Sequence, residues 1–145
     1  MMSGDFWETE VYGAAPLAGL ERIEMEDVFG WLGRTLPVSG SKVDWSLVRG
    51  EHSHRHFVDG VEFADEAARE ILRRMEAGSS VEHVGDSLSP FGIRFAGAQA
   101  GAIVTALLEV PEHHYFLDEG RAWLVVVSSE GDLDIVDQLD ASDGS

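Results

Sequence analysis

The sequence predicts an α+β fold, a mostly antiparallel sheet with about three helices packed against it in a single domain. Three observations carry this. A chain of 145 residues with 44% hydrophobic residues has material for one core. Helix-period and strand-like segments occur in mixed order, and the strand-like ones bunch at the C-terminus. A parallel doubly wound sheet would need regular βαβ alternation and a Gly-rich phosphate loop, and Val38-Ser39-Gly40-Ser41-Lys42 lacks that loop's spacing. The domain is expected over residues 1–137, with a polar tail over 138–145.

Phe6 to Tyr12 alternates in β-formers and predicts a first strand. Gly13 to Gly19 reads as a loop. Glu21 to Leu36 is read as a helix, with Ile23, Val28, Trp31 and Leu32 on one face and Glu24, Glu26 and Asp27 suited to the positive end of its dipole. Pro37 to Ser41 is a turn, and Val43 to Val48 a strand. Val61 to Ala77 is the clearest helix: Phe63/Ala64, Ala67/Ala68, Ile71/Leu72 and Met75 recur with its period. Asp59 with Glu62 resembles a capping box, and Gly78 is a stop signal. Asp65 with Arg69 and Glu70 with Arg74 have the spacing of ion pairs on the solvated face.

Ser79 to Pro90 reads as loop with a short strand at Val81 to Val84, and Gly92 to Phe95 as extended. Ala98 to Leu108 is Ala-rich and reads as a helix ended by Pro111, with a strand over Ile103 to Val110 as the rival reading. His114 to Leu117, Ala122 to Ser128 and Leu133 to Val136 read as strands, the last two joined by a Glu130-Gly131 turn.

Composition excludes several functions. With no Cys there is no disulfide scaffold, thiolate zinc site or Cys nucleophile. A net charge of −17 opposes direct nucleic-acid binding, which needs a basic patch. The excess lies at the ends: residues 1–30 sum to −6, 31–100 to −2 and 101–145 to −9. If the ends meet they form one negative face, which speeds encounter with a basic partner; solubility alone is the plainer reason for such charge. The N-terminus has neither the basic start nor the apolar run of a signal peptide, and the apolar stretch from Ala96 to Leu108 is interrupted and short of the roughly 20 residues of a membrane span. A soluble cytoplasmic protein is the expectation, with no membrane partner.

Three segments are candidates for chemistry. In Glu51-His52-Ser53-His54-Arg55-His56 an extended backbone puts His52, His54 and His56 on one side, where imidazoles bind transition metals. Gly50 and Asp59-Gly60 around it argue for a His-rich polar loop instead, titrating near pH 6.5. In Glu112-His113-His114-Tyr115 the adjacent histidines face opposite ways, so a corner that closes hydrogen bonds is the expected role. In Glu130-Gly131-Asp132-Leu133-Asp134-Ile135-Val136-Asp137, Asp132 and Asp134 share the polar face of what reads as an edge strand. The sixth and twelfth positions of a calcium loop would be Gly and Glu; here they are Asp137 and Asp143. A charged edge also prevents edge-to-edge aggregation. The four Trp residues suit core positions, with Trp7 a candidate interface anchor. No nucleophile elbow is present, and no cofactor is indicated.

The last third, with Val110-Pro111-Glu112-His113-His114-Tyr115-Phe116, then Ala122-Trp123-Leu124-Val125-Val126-Val127, then Ser129-Glu130-Gly131-Asp132, resembles the small immunity proteins of bacterial polymorphic toxin systems. The resemblance implies a cytoplasmic, non-enzymatic protein that binds and blocks a cognate toxin, commonly a nuclease. The physical argument is parallel: a nuclease cleft is basic because it grips phosphate, and carboxylates can occupy it. The expected contact face is Glu130, Asp132, Asp134 and Asp137, joined by Glu8, Glu10, Glu24 and Asp27 if the ends converge. The alternatives are a small metal-binding protein or metal-dependent enzyme using His52, His54 and His56, and a structural or adaptor subunit.

Overall fold

The computed structural model describes residues 20–35, 38–39, 42–43, 51–75, 80–85, 92–95, 100–109, 112–120 and 122–137. The strands are β1 (Leu20–Ile23), β2 (Val38–Ser39), β3 (Lys42–Val43), β4 (Glu51–His56), β5 (Val81–Gly85), β6 (Gly92–Phe95), β7 (His114–Asp118), β8 (Leu124–Val127) and β9 (Asp132–Asp137). The helices are α1 (Met25–Thr35), α2 (Gly60–Arg74) and α3 (Ala100–Leu108). Among the described residues seven strands form one sheet in the order β1-β6-β5-β7-β8-β9-β4, every neighbouring pair antiparallel. β2 and β3 pair separately. The fold is the expected α+β arrangement.

The sheet is covered on both faces. On one, α2 and α3 bring Ala67, Ile71, Ile103, Val104 and Leu107 onto Val81, Ile93, Phe95, Phe116, Val125, Val127, Leu133 and Ile135. On the other, α1 brings Val28 and Leu32 onto Val84, Leu117, Leu124, Val126 and Val136. Double burial explains β8: Leu-Val-Val-Val is apolar throughout because neither face meets water. At about 25 cal/mol per Å² this two-faced apolar burial is the main stabilising contribution.

Several boundaries differ from the sequence reading, each for a physical reason. The helix expected over Glu21 to Leu36 is a strand at Leu20–Ile23 followed by α1. Ile23 still joins Val28, Trp31 and Leu32 in one cluster, but from the sheet. Backbone pairing with β6 wins there because Gly92 lets the two strands close up: a Cβ on Gly92 would lie 2.8 Å from Ile23 Cγ1. Val81–Gly85 is not a minor piece of loop; β5 is an inner strand, buried along its length. Its polar Glu82 and His83 hide the strand pattern in sequence. Ala98 to Leu108 resolves to the helix α3, and the rival strand is absent. β9 is not an edge, because β4 covers it. The expected strand at Phe6 to Tyr12 and the polar tail lie outside the described residues, as does all but the first residue of Val43 to Val48. α2 ends at Arg74 with Met75 already extended, ahead of the expected end at Ala77 and stop at Gly78.

α2 begins where the capping signal puts it. Asp59 accepts hydrogen bonds from Val61 N–H and Glu62 N–H at 2.9 and 3.0 Å, satisfying two of the helix's orphan donors. No helix of the described residues is long and apolar enough to cross a membrane.

A candidate protein-docking corner

The His-rich segment is a strand, not the loop that its flanking glycines suggested. Its alternation holds: in the β4–β9 register His54 lies opposite Asp134 and His56 opposite Asp132. His52 Nε2 donates to Asp134 Oδ1 at 2.8 Å. His54 Nε2 and His56 Nδ1 both donate to Asp132 Oδ1, at 3.0 and 2.9 Å. The hydrogen bonds from His56 and His54 hold the Asp132 carboxyl below its ordinary range. These imidazoles therefore zip β4 to β9. Among the described residues no three His, Asp or Glu side chains are grouped to hold a metal ion.

The expected acidic contact face is divided by the sheet. Asp132 and Asp134 point to the His side of β9. Asp137 belongs to the opposite side, where Arg74 Nη2 donates to its Oδ2 at 2.6 Å and Arg74 Nη1 to Glu70 Oε1 at 2.6 Å. Arg74 is thus mostly buried, not part of the solvated helix surface read from the sequence. The Asp137 hydrogen bond is the main cause raising the Arg74 pKa. Glu70 is pushed up by burial, but Arg74 and Arg73 outweigh that and hold it below its ordinary value. Arg69 pairs with Glu66 rather than with Asp65, and Arg55 reaches Glu66 from β4. Glu24 and Asp27 are exposed at the start of α1, and Glu130 is exposed in the β8–β9 turn. Glu8 and Glu10 lie outside the described residues.

A different constellation gathers where β4 passes into α2. Val58 is 96% exposed and Val61 72% exposed. Beside them Asp59, Val61, Glu62, Asp65, Glu66 and Arg69 line a groove of about 450 Å³. Phe57 N–H donates to Gly131 O at 2.9 Å, which brings the turn carrying Glu130 against this corner. Arg69 is matched by Glu66, so the groove is left with a surplus of carboxylates. Exposed apolar side chains beside a surplus of one sign of charge have the anatomy of a small docking surface. Sequence reading missed it because Val61 looks like the first core residue of α2. Val58, lying before the cap and outside the helical period, was the available signal.

The Glu112-His113-His114-Tyr115 corner behaves as the sequence suggests. His113 Nδ1 accepts from Ser129 N–H at 3.1 Å, while His114 turns the other way into the core. Comparisons with protein-family models, curated proteins and solved structures return no match for this chain.

Proposed function

We propose that the chain is a non-catalytic, acidic protein-binding inhibitor of the immunity type, which neutralises a toxin, in the nuclease case by covering its basic active site. The observation that carries this reading is the corner at Val58–Arg69, where two exposed valines sit against a groove lined by four carboxylates. A basic partner gains twice there. Its Lys or Arg side chains meet Asp59, Glu62, Asp65 and Glu130, and its apolar atoms cover Val58 and Val61. A net charge of −17 speeds the encounter.

The test is affinity capture by the full chain from lysate of the source cell, at low and high salt, followed by assay of the captured protein. The expected result is one basic protein whose activity is inhibited, held more weakly as salt rises. Glu62→Lys with Asp65→Lys is expected to weaken capture at least tenfold, a loss of about 1.4 kcal/mol. A partner held equally well by this variant sinks the proposed face; a captured protein that keeps its activity sinks the inhibitor reading.

A further inference from the structure

We infer that the exposed face of α2 is an interface between two copies of this chain, which pack their α2 helices antiparallel about a two-fold axis. Three large apolar side chains are exposed among the described residues, Val58, Val61 and Leu72, and all three belong to α2 or to the turn just before it. At 3.6 residues per turn, Val61 and Leu72 stand only about 20° apart around the helix and about 16 Å apart along it. Asp65 lies close to the line that joins them, and Glu62, Arg69 and Arg73 form the stripe beside it. All four of these charged residues are exposed, whereas Ala67 and Ile71 on the opposite side of the helix are buried in the core.

Charge selects the occupant. Glu62 and Asp65 stand in the first half of α2, Arg69 and Arg73 in the second. Along the whole face a basic surface is repelled at one end and an acidic surface at the other; an antiparallel copy of α2 satisfies both ends. With the axis midway between Val61 and Leu72, Val61 of each copy packs on Leu72 of the other. Glu62 then falls between Arg69 and Arg73 of the other copy, and Asp65 beside its Arg69. Every contact occurs twice, as a two-fold interface requires. Arg69 donates to Glu66 and Arg73 to Glu70 within the helix, but a guanidinium carries five N–H groups, so each has donors for a second carboxylate. The corner assigned above to a basic partner is the acidic end of this face, so such a partner and the second copy exclude one another. The self-pairing does not depend on that partner. One helix pair is a small interface, and a net charge of −17 opposes association, so the dimer is weak and concentration-dependent.

The experiment is sedimentation velocity on the untagged full chain from micromolar to millimolar concentration, at an ionic strength of about 0.15 M. A shift from monomer to dimer mass is expected. Two charge variants carry the test, one with Glu62→Arg and Asp65→Arg, the other with Arg69→Glu and Arg73→Glu. Each presents a single sign of charge along the face and is expected to raise the dissociation constant about tenfold. An equimolar mixture of the two is expected to restore dimer mass as a heterodimer, although both variants remain net negative. Val61→Asp changes a side chain that lies mostly in water, and is expected to weaken the parent dimer about tenfold with the helical circular dichroism unchanged. Monomer mass throughout, variants that dimerise like the parent, or a mixture of folded variants that stays monomeric overturns the inference; so does an unchanged dissociation constant for Val61→Asp.

Discussion

His83 and His114 meet inside the core with Nε2 and Nδ1 2.9 Å apart, and the His83 ring lies 4.8 Å from that of Phe116. His83 Nδ1 has no hydrogen-bond partner among the described residues. The tautomer with the proton on Nε2 is therefore favoured: it donates to His114 and leaves a bare acceptor buried rather than a bare donor. Burial, then the neighbouring His114, depresses the His83 pKa well below its ordinary 6.5. The unfolded chain thus takes up the proton first, so stability is whole above about pH 6.5 and falls as the pH drops below it. Denaturant midpoints at pH 7 and pH 5 are expected to show this loss, and His83→Phe to reduce it. Asp132 adds a second loss of the same sign at lower pH, as its depressed carboxyl protonates below its ordinary 3.8. Gly131 makes a sharper demand. Its φ is +92° and an added Cβ would lie 2.5 Å from Phe57 O, so Gly131→Ala is expected to cost about 2–4 kcal/mol in thermal or chemical denaturation.

At the scale of elements, α2 is both the best-signalled segment and the one beside the docking corner. Asp59→Ala removes the acceptor of two helix N–H groups and is expected to cost about 1 kcal/mol, read as faster amide exchange at Val61 and Glu62. α2 and α3 were legible because each carries a local signal, a cap and a period in one, a small-residue run before Pro111 in the other. β5 was barely legible because its polar residues find their partners on other strands, Glu82 on Arg94 and His83 on His114. The identity of β4 was hidden for the same reason: His52, His54 and His56 make sense as strand residues only once Asp132 and Asp134 are alongside. The acidic contact face suffered most. Sequence shows charge but not which side of a sheet it faces, and Asp137 faces away from Asp132 and Asp134.

For the whole molecule the governing quantity is the excess of 27 acids over 10 bases. Self-repulsion of that size opposes compaction, so raising salt from low to physiological concentration is expected to raise the melting temperature by a few degrees. The same addition is expected to weaken the basic partner's hold.

The pairing of β4 with β9 also sets an order of events at synthesis. Glu51 is matched to Asp137 and His56 to Asp132, so the strand made in the first half of the chain waits for nearly the last segment described. Closing so long a loop is entropically slow, and among the described residues the strand that β4 joins is β9. A nascent chain halted before Asp132 is expected to remain protease-sensitive at residues 51–56, and release of the next six residues to protect them.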